Sequence, residues 1–197
     1  MLTLFNKNLA IVASGRSLLH SQYGDAINQY PMVLRFNRAV VRKHEEDVGQ
    51  FWTHWCCTFR DRWYPGVKGY LIEEYLCCDS DEEIEGRDRT NNFGNINYMP
   101  NDYLYELFAK YIGITKGQQK PTFYKPSTGL RLLWWIYKET GKINKERLFG
   151  FDCFCDPGKD PRKSEHETKC RKYYSQSNPS PKHRPRVERA IYNEITS

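Results

Sequence analysis

The residues best suited to proton chemistry near neutral pH lie close to the C-terminus, in HRPRVE, His183 to Glu188. Imidazole is the side chain most readily poised to take a proton in that range. Its basic neighbours Lys182, Arg184 and Arg186 favour the neutral ring, the form that acts as a base. A histidine on a basic surface loop has the same local pattern. A second candidate is KPSTGLRLLWW, residues 125–135. Pro126 interrupts strand pairing, Ser127 or Thr128 can cap, Gly129 allows close backbone approach, and an apolar helix follows at once. The free amides and positive dipole end of such a helix suit an anion. An ordinary capped core helix fits the same residues.

Two further stretches carry polar groups at the ends of apolar runs. VLRFNRA, residues 33–39, places Arg35, Asn37 and Arg38 just beyond Val33 and Leu34. Either this is a solvated loop edge, or a sheet delivers polar groups to a crevice of the kind open α/β folds use. ASGRSL, residues 13–18, is a small-residue turn after LAIV. It lacks both the G-x-G-x-x-G pattern and the glycines and lysine of a P-loop. Asp79-Ser80-Asp81 has a spacing that can hold a divalent metal, but it sits in CCDSDEEIE, where a solvated acidic turn is the simpler expectation. No metal site is expected.

The elements that must position these groups can be followed along the chain. Leu9 to Val12 reads as a buried parallel strand, and Pro31 to Leu34 as a second. Gly69 to Leu76 has strand character, residues 86–98 read as loop, and Asn101 is expected to cap a helix over Asp102 to Ile112. Leu130 to Thr140 reads as an apolar helix, Arg147 to Phe151 as a strand, and 156–185 as mostly loop. Val187 to Ile195 is a final helix. Strands alternating with helices predict an α/β fold, a Rossmann-like parallel sheet flanked by helices, in one domain over residues 1–197.

Composition sets the outer bounds. The chain has 197 residues, 39% apolar and 27% charged, which is a globular and not a disordered profile. From Lys159 to Arg189 there are ten Lys or Arg against four Asp or Glu, so the net charge of +6 resides wholly in that stretch. Such a segment attracts phosphates, nucleic acid or an acidic membrane surface. With Tyr173 and Tyr174 available to stack on bases, a nucleic-acid-binding module is one reading. No apolar run approaches the roughly 18–20 residues needed to span a bilayer. Seven cysteines cannot all pair with one another, and Cys56-Cys57 and Cys77-Cys78 are adjacent pairs, not C-x-x-C. Reduced, mostly buried thiols are expected.

Together the pieces resemble the family 29 sialyltransferases, which use a CMP-sugar donor. The family's long motif is similar to LAIVASGRSLLHSQYGDAINQYPMVLRFNRA, followed by DVGQFWTH, Asp47 to His54. Its short motif resembles KPSTGLRLLWWIYKETGKINKERLFGFD. Its terminal H-x-x-x-x-E is matched by His183 and Glu188, and Tyr173-Tyr174 resembles its tyrosine-rich motif. Four matches occur in the family's order.

The resemblance implies a GT-A-like sialyltransferase variant of the Rossmann-like fold, inverting and independent of metal or other cofactor. It implies that Ser14, Gly15 and Asn37 hold the CMP portion of a CMP-sialic acid or CMP-Kdo donor, and that Arg35 and Arg38 are structural. Ser127, Thr128 and Gly129 would donate to its phosphate or carboxylate, and Gly150 and Phe151 would approach the cytidine. His183 would deprotonate the hydroxyl of a glycan acceptor, Tyr173 or Tyr174 would bond the departing phosphate, and Glu188 would support local structure. The acceptor would draw on residues 52–64 and 86–100. The chain departs from the family at Ser14, where asparagine is usual, at Leu9, where a paired cysteine is missing, and at KYYS. A catalytically inactive CMP-sugar binder would also tolerate the Ser14 change. With no Golgi anchor or stem, a minimal, cytoplasmic, microbial or viral form is expected, with no nucleic-acid partner.

Overall fold

The computed structural model describes residues 3–37, 39–57, 72–78, 96–113, 124–153 and 183–197. Six strands form a sheet: β1 (Leu9–Val12), β2 (Met32–Phe36), β3 (His54–Cys57), β4 (Glu74–Cys77), β5 (Ile96–Tyr98) and β6 (Leu148–Phe149). Every neighbouring pair is parallel. Their order is β5-β4-β3-β2-β1-β6, so the chain builds outward from β1 to β5 and then returns to the far side of β1. The reversal between β1 and β6 is a topological switch point, where open α/β sheets leave a crevice beyond their carboxyl ends.

Both faces of the sheet are covered, which is why LAIV is apolar at every position. Leu9 and Ile11 face one core with Leu34, Phe36 and Cys56, under α3 (Asn101–Ile112), α4 (Thr128–Thr140) and α5 (Pro185–Ile195). Ala10 and Val12 face the other with Val33, Trp55 and Cys57, under α1 (Gly24–Asn28) and α2 (Glu45–Val48). The period of two in a strand makes this division automatic. Cys56, Cys57, Cys77 and Cys78 are buried free thiols, as expected. Burial raises the Cys56 thiol well above its ordinary range.

Four expected elements differ. The loop expected over 86–98 ends in strand β5; three edge residues are too few to show an alternating pattern. Asn101 is the first residue of α3 and not its cap. Pro100 stands at the cap, and its carbonyl accepts from the amides of Tyr103 and Leu104, at 3.1 and 3.2 Å. The strand expected from Arg147 to Phe151 is only Leu148–Phe149. Arg147 belongs to a 3-10 turn headed by Asn144, and Gly150 turns away at φ +70°. The strand expected over Gly69 to Leu76 is β4 at Glu74–Cys77, with residues 69–71 outside those described. The expected loop at 156–185 falls almost wholly outside them too.

Arg35 answers the question raised by VLRFNRA. It is fully buried on β2. Its Nε donates to the Phe51 carbonyl at 3.0 Å, and its Nη2 donates to the carbonyls of Val48 and Gly49. The guanidinium therefore satisfies the C-terminal carbonyls of α2 and the chain leading to β3. Arg35 is structural; Arg38 lies outside the described residues.

Candidate functional site

Three chain ends meet beyond the carboxyl edge of the sheet. The turn after β1 lies against the turn after β6: Ala13 donates its amide to Phe149 O at 2.8 Å, and Gly15 to Gly150 O at 2.9 Å. Both glycines are required by space. A Cβ on Gly15 would stand 2.2 Å from the Gly150 oxygen, and one on Gly150 would stand 2.6 Å from Leu18 Cδ1. Asp152, buried just after β6, closes this pair of turns. Its carboxylate accepts from the Ser17 amide at 2.9 Å and from the Ser17 hydroxyl. Ser14 is half-buried between them.

Asn37 comes from the end of β2, in the left-handed region at φ +46°. Asparagine tolerates that region better than most residues. The backbone is held by Asn37 N donating to Cys56 O at 2.9 Å and Trp55 Nε1 donating to Asn37 O at 3.0 Å. Thus anchored, the side-chain Nδ2 reaches Thr128 Oγ1 at 3.3 Å. A contact across 91 positions of sequence joins the end of β2 to the first turn of α4.

At that helix start, Ser127 caps α4: its Oγ accepts from Leu130 N at 3.1 Å. Gly129 sits where a Cβ would meet the Phe151 ring at 3.2 Å, so its lack of a side chain lets the first turn pack on that ring. Phe151 stacks on Tyr192 of α5 and meets Phe36 edge-on, at centroid distances of 5.9 and 6.0 Å. The expected residues Gly15, Asn37, Ser127, Thr128, Gly129, Gly150 and Phe151 thus belong to one neighbourhood.

The C-terminal motif locks onto the same helix end. Glu188 on α5 is 2% exposed. It accepts from Ser127 N at 2.7 Å and from Ser127 Oγ at 2.8 Å. Tyr111 of α3 donates its hydroxyl to Glu188 Oε1 at 3.3 Å. Burial raises this carboxyl to about 7, despite the opposing hydrogen bonds from Ser127 and Tyr111 and the charge of Arg131. This buried glutamate is therefore shared between its two protonation states near neutral pH.

His183 is 21% exposed at its side chain and stands just before α5. Its Nδ1 lies 3.0 Å from the carbonyl oxygen of Lys125. A carbonyl only accepts, so the proton is on Nδ1 and the lone pair of the neutral ring is on Nε2. Glu188 Oε1 lies 3.9 Å from the same Nδ1, within ion-pair range once the ring is protonated. His183 therefore has the tautomer of a general base, with a carboxylate beside the charge it would acquire.

Residues 6–59 match the family model of glycosyltransferase family 29 (sialyltransferase). The match covers the turn after β1, Asn37 and the DVGQFWTH continuation. The fold is similar to that of "Crystal Structure of a Mammalian Sialyltransferase", at TM-score 0.59 and 17% identity, over 99% of this chain and 70% of that one. It is also similar to a mammalian sialyltransferase in complex with Gal-beta-1-3GalNAc-ortho-nitrophenol. There the TM-score is 0.56 and the identity 17%, over 95% of this chain and 65% of that one. The chain thus spans about two thirds of the length of these structures. Comparison with curated proteins gives no match.

Tyr173, Tyr174, Asp79, Asp81 and residues 58–64 and 86–95 of the expected acceptor region lie outside the described residues. Among the described residues, no three His, Cys, Asp or Glu side chains gather as a metal site, and no helix is long and apolar enough to cross a membrane. Sequence reasoning passed over Asp152, Tyr111 and Arg131. Asp152 is part of LFGFD, so its place after β6 was visible, though not its bond to a turn 135 positions away. Arg131 donates to the carbonyls of Pro126 and Cys78, tying α4 to β4, and nothing in its local pattern announces that.

Proposed function

We propose that this chain is a glycosyltransferase of the sialyltransferase type, acting as one domain. It moves sialic acid, or a related keto-sugar acid such as Kdo, from CMP to a glycan hydroxyl. The observation that carries the reading is the 3.0 Å contact of His183 Nδ1 with the Lys125 carbonyl oxygen, beside the capped start of α4, in a chain whose residues 6–59 match the sialyltransferase family model.

Loss of CMP from the donor gives the sugar oxocarbenium character, so little covalent help is required. The protein must stabilise the leaving phosphate and take one proton. With Ser127 held by Glu188 as the cap, the amides of Thr128 and Gly129 and the Thr128 hydroxyl, at the positive end of α4, suit the phosphate or the sugar carboxylate. Asn37, Ser14 and Gly15 line the nucleotide side, and Gly150 and Phe151 its base. His183 Nε2 takes the acceptor proton as the acceptor oxygen attacks the anomeric carbon, and Tyr173 or Tyr174 bonds the departing phosphate. A single base and direct displacement give inversion. The reaction needs no metal or other cofactor, and a soluble cytoplasmic form suits the chain.

Thermal unfolding with CMP, UMP, AMP or GMP in EDTA tests the donor site. Ligand at about 100 times its dissociation constant adds roughly 2.7 kcal/mol, a shift of a few degrees. CMP-selective stabilisation is expected, followed by transfer from CMP-sialic acid or CMP-Kdo that His183→Ala abolishes while CMP binding persists. Indifference to CMP would overturn the donor assignment and favour nucleic-acid binding by the basic stretch. Full activity in His183→Ala would remove it as the base.

A further inference from the structure

We infer that Tyr111, on a helix outside every motif of the chain, is a positioning residue for His183. This deepens the proposed function and rests on His183 being its base. The argument begins with the peptide that links His183 to Arg184. Its N–H, which belongs to Arg184, donates to the Tyr111 hydroxyl at 2.7 Å. Arg184 occupies the cap position of α5, its own side chain makes no cap bond, and Pro185 follows. That amide can therefore find no partner within the helix, and Tyr111 supplies one from another element.

The same hydroxyl donates to Glu188 Oε1 at 3.3 Å. One oxygen thus accepts from the peptide next to the base and donates to the carboxylate that holds the Ser127 cap. Arg184 adds a second tie, Nη1 to Tyr111 O at 3.4 Å. Tyr111 is 1% exposed, so its phenol is fixed by packing on α3 and forms a rigid post. Burial, and Glu188 beside it, push the phenol far above its ordinary range, so it stays protonated and able to donate.

The geometric consequence is specific. The peptide plane following His183 sets the direction in which the ring leaves the backbone. The ring's second constraint, Nδ1 on Lys125 O, lies on the segment leading into α4. Removing the Tyr111 hydroxyl leaves the part-buried Arg184 N–H without that partner and lets the plane turn. The imidazole then leaves its single orientation, while the donor-facing groups of α4 keep the Ser127–Glu188 clasp.

Tyr111→Phe keeps the ring and removes only the hydroxyl. Two readouts test it. The first is the imidazole nitrogen spectrum of the full chain, with the His183 signal assigned by its loss in His183→Ala. The parent is expected to show His183 as the Nδ1–H tautomer, and Tyr111→Phe to show a mixture. The second is transfer: kcat is expected to fall on the order of 10²-fold, the scale of a misplaced catalytic group, with the KM for the CMP-sugar nearly unchanged. An unchanged tautomer overturns the inference, whatever happens to the melting temperature, and so does an unchanged kcat in an active enzyme. A chain that binds no CMP and transfers nothing fails the proposed function instead, and the tautomer readout still decides the role of Tyr111.

Discussion

Replacing Glu188 by Gln should change how stability depends on pH more than it changes stability at low pH. Burial raises the Glu188 carboxyl from 4.5 to about 7 in the folded chain. Below the unfolded value both states are protonated, and the folded state has its full stability. As pH rises toward the folded value, the unfolded state releases its proton first and the folded state falls behind. Stability is therefore lost between about pH 4.5 and pH 7. At 1.36 kcal/mol per tenfold the displacement corresponds to about 3 kcal/mol, a ceiling that relaxation of the site would lower.

Glutamine is isosteric and neutral. It can accept from Ser127 N through its oxygen and donate to Ser127 Oγ through its amide. Denaturant midpoints measured for both proteins between about pH 5 and pH 8 provide the assay. The difference between the two curves reports Glu188 together with its neighbour His183, 3.9 Å away, because groups remote from that pair act alike in both. His54 is one such remote group: burial holds it below its ordinary range, so in both chains it favours folding as pH rises through the unfolded histidine value. Glu188→Gln is expected to flatten the loss toward pH 8. Parallel curves for the two proteins would refute the account of a buried carboxyl held against its charge.

Ser127→Ala removes the α4 cap and a donor to Glu188 together. The lost cap costs about 1 kcal/mol and the stranded carboxylate oxygen a further ~1–3 kcal/mol, read as a lower melting temperature with a greater drop at pH 8 than at pH 5. Gly150→Ala places a methyl 2.6 Å from Leu18 Cδ1 at a positive φ, and should destabilise by about 1–3 kcal/mol in urea titration while loosening the Ser14–Gly15 turn. A Gly113→Ala control has the same sign of φ and nothing within 4 Å of the added methyl, so it should cost less.

Much of the scaffold was legible in the residues because local rules suffice for it. LAIV had to be a doubly covered strand, and P-S-T-G before LRLLWW had to start a helix. Asn37 and His183 were picked out by side-chain chemistry joined to a family resemblance. The short edge strand Ile96–Tyr98 and the cap at Pro100 were not legible, since three residues carry no period and proline can serve a helix start through its carbonyl alone.

What the sequence by itself determined was the alternation of elements and the chemical types at their ends. Only the tertiary structure decided which ends meet. The return of the chain to the far side of β1 brings Gly150 and Asp152 onto the turn at Gly15, and the packing of α3 against α4 and α5 brings Tyr111 to Arg184 and Glu188. It also decided the state of each group. Glu188 looks like any surface glutamate in HRPRVE, and only its burial against Ser127 raises its carboxyl to about 7. For Arg35 the residues alone left a solvated edge and a crevice both open, and the structure shows it turned inward from β2 onto backbone carbonyls. Periodicity is a property of neighbours in sequence, whereas desolvation and hydrogen-bond partnership are properties of neighbours in space.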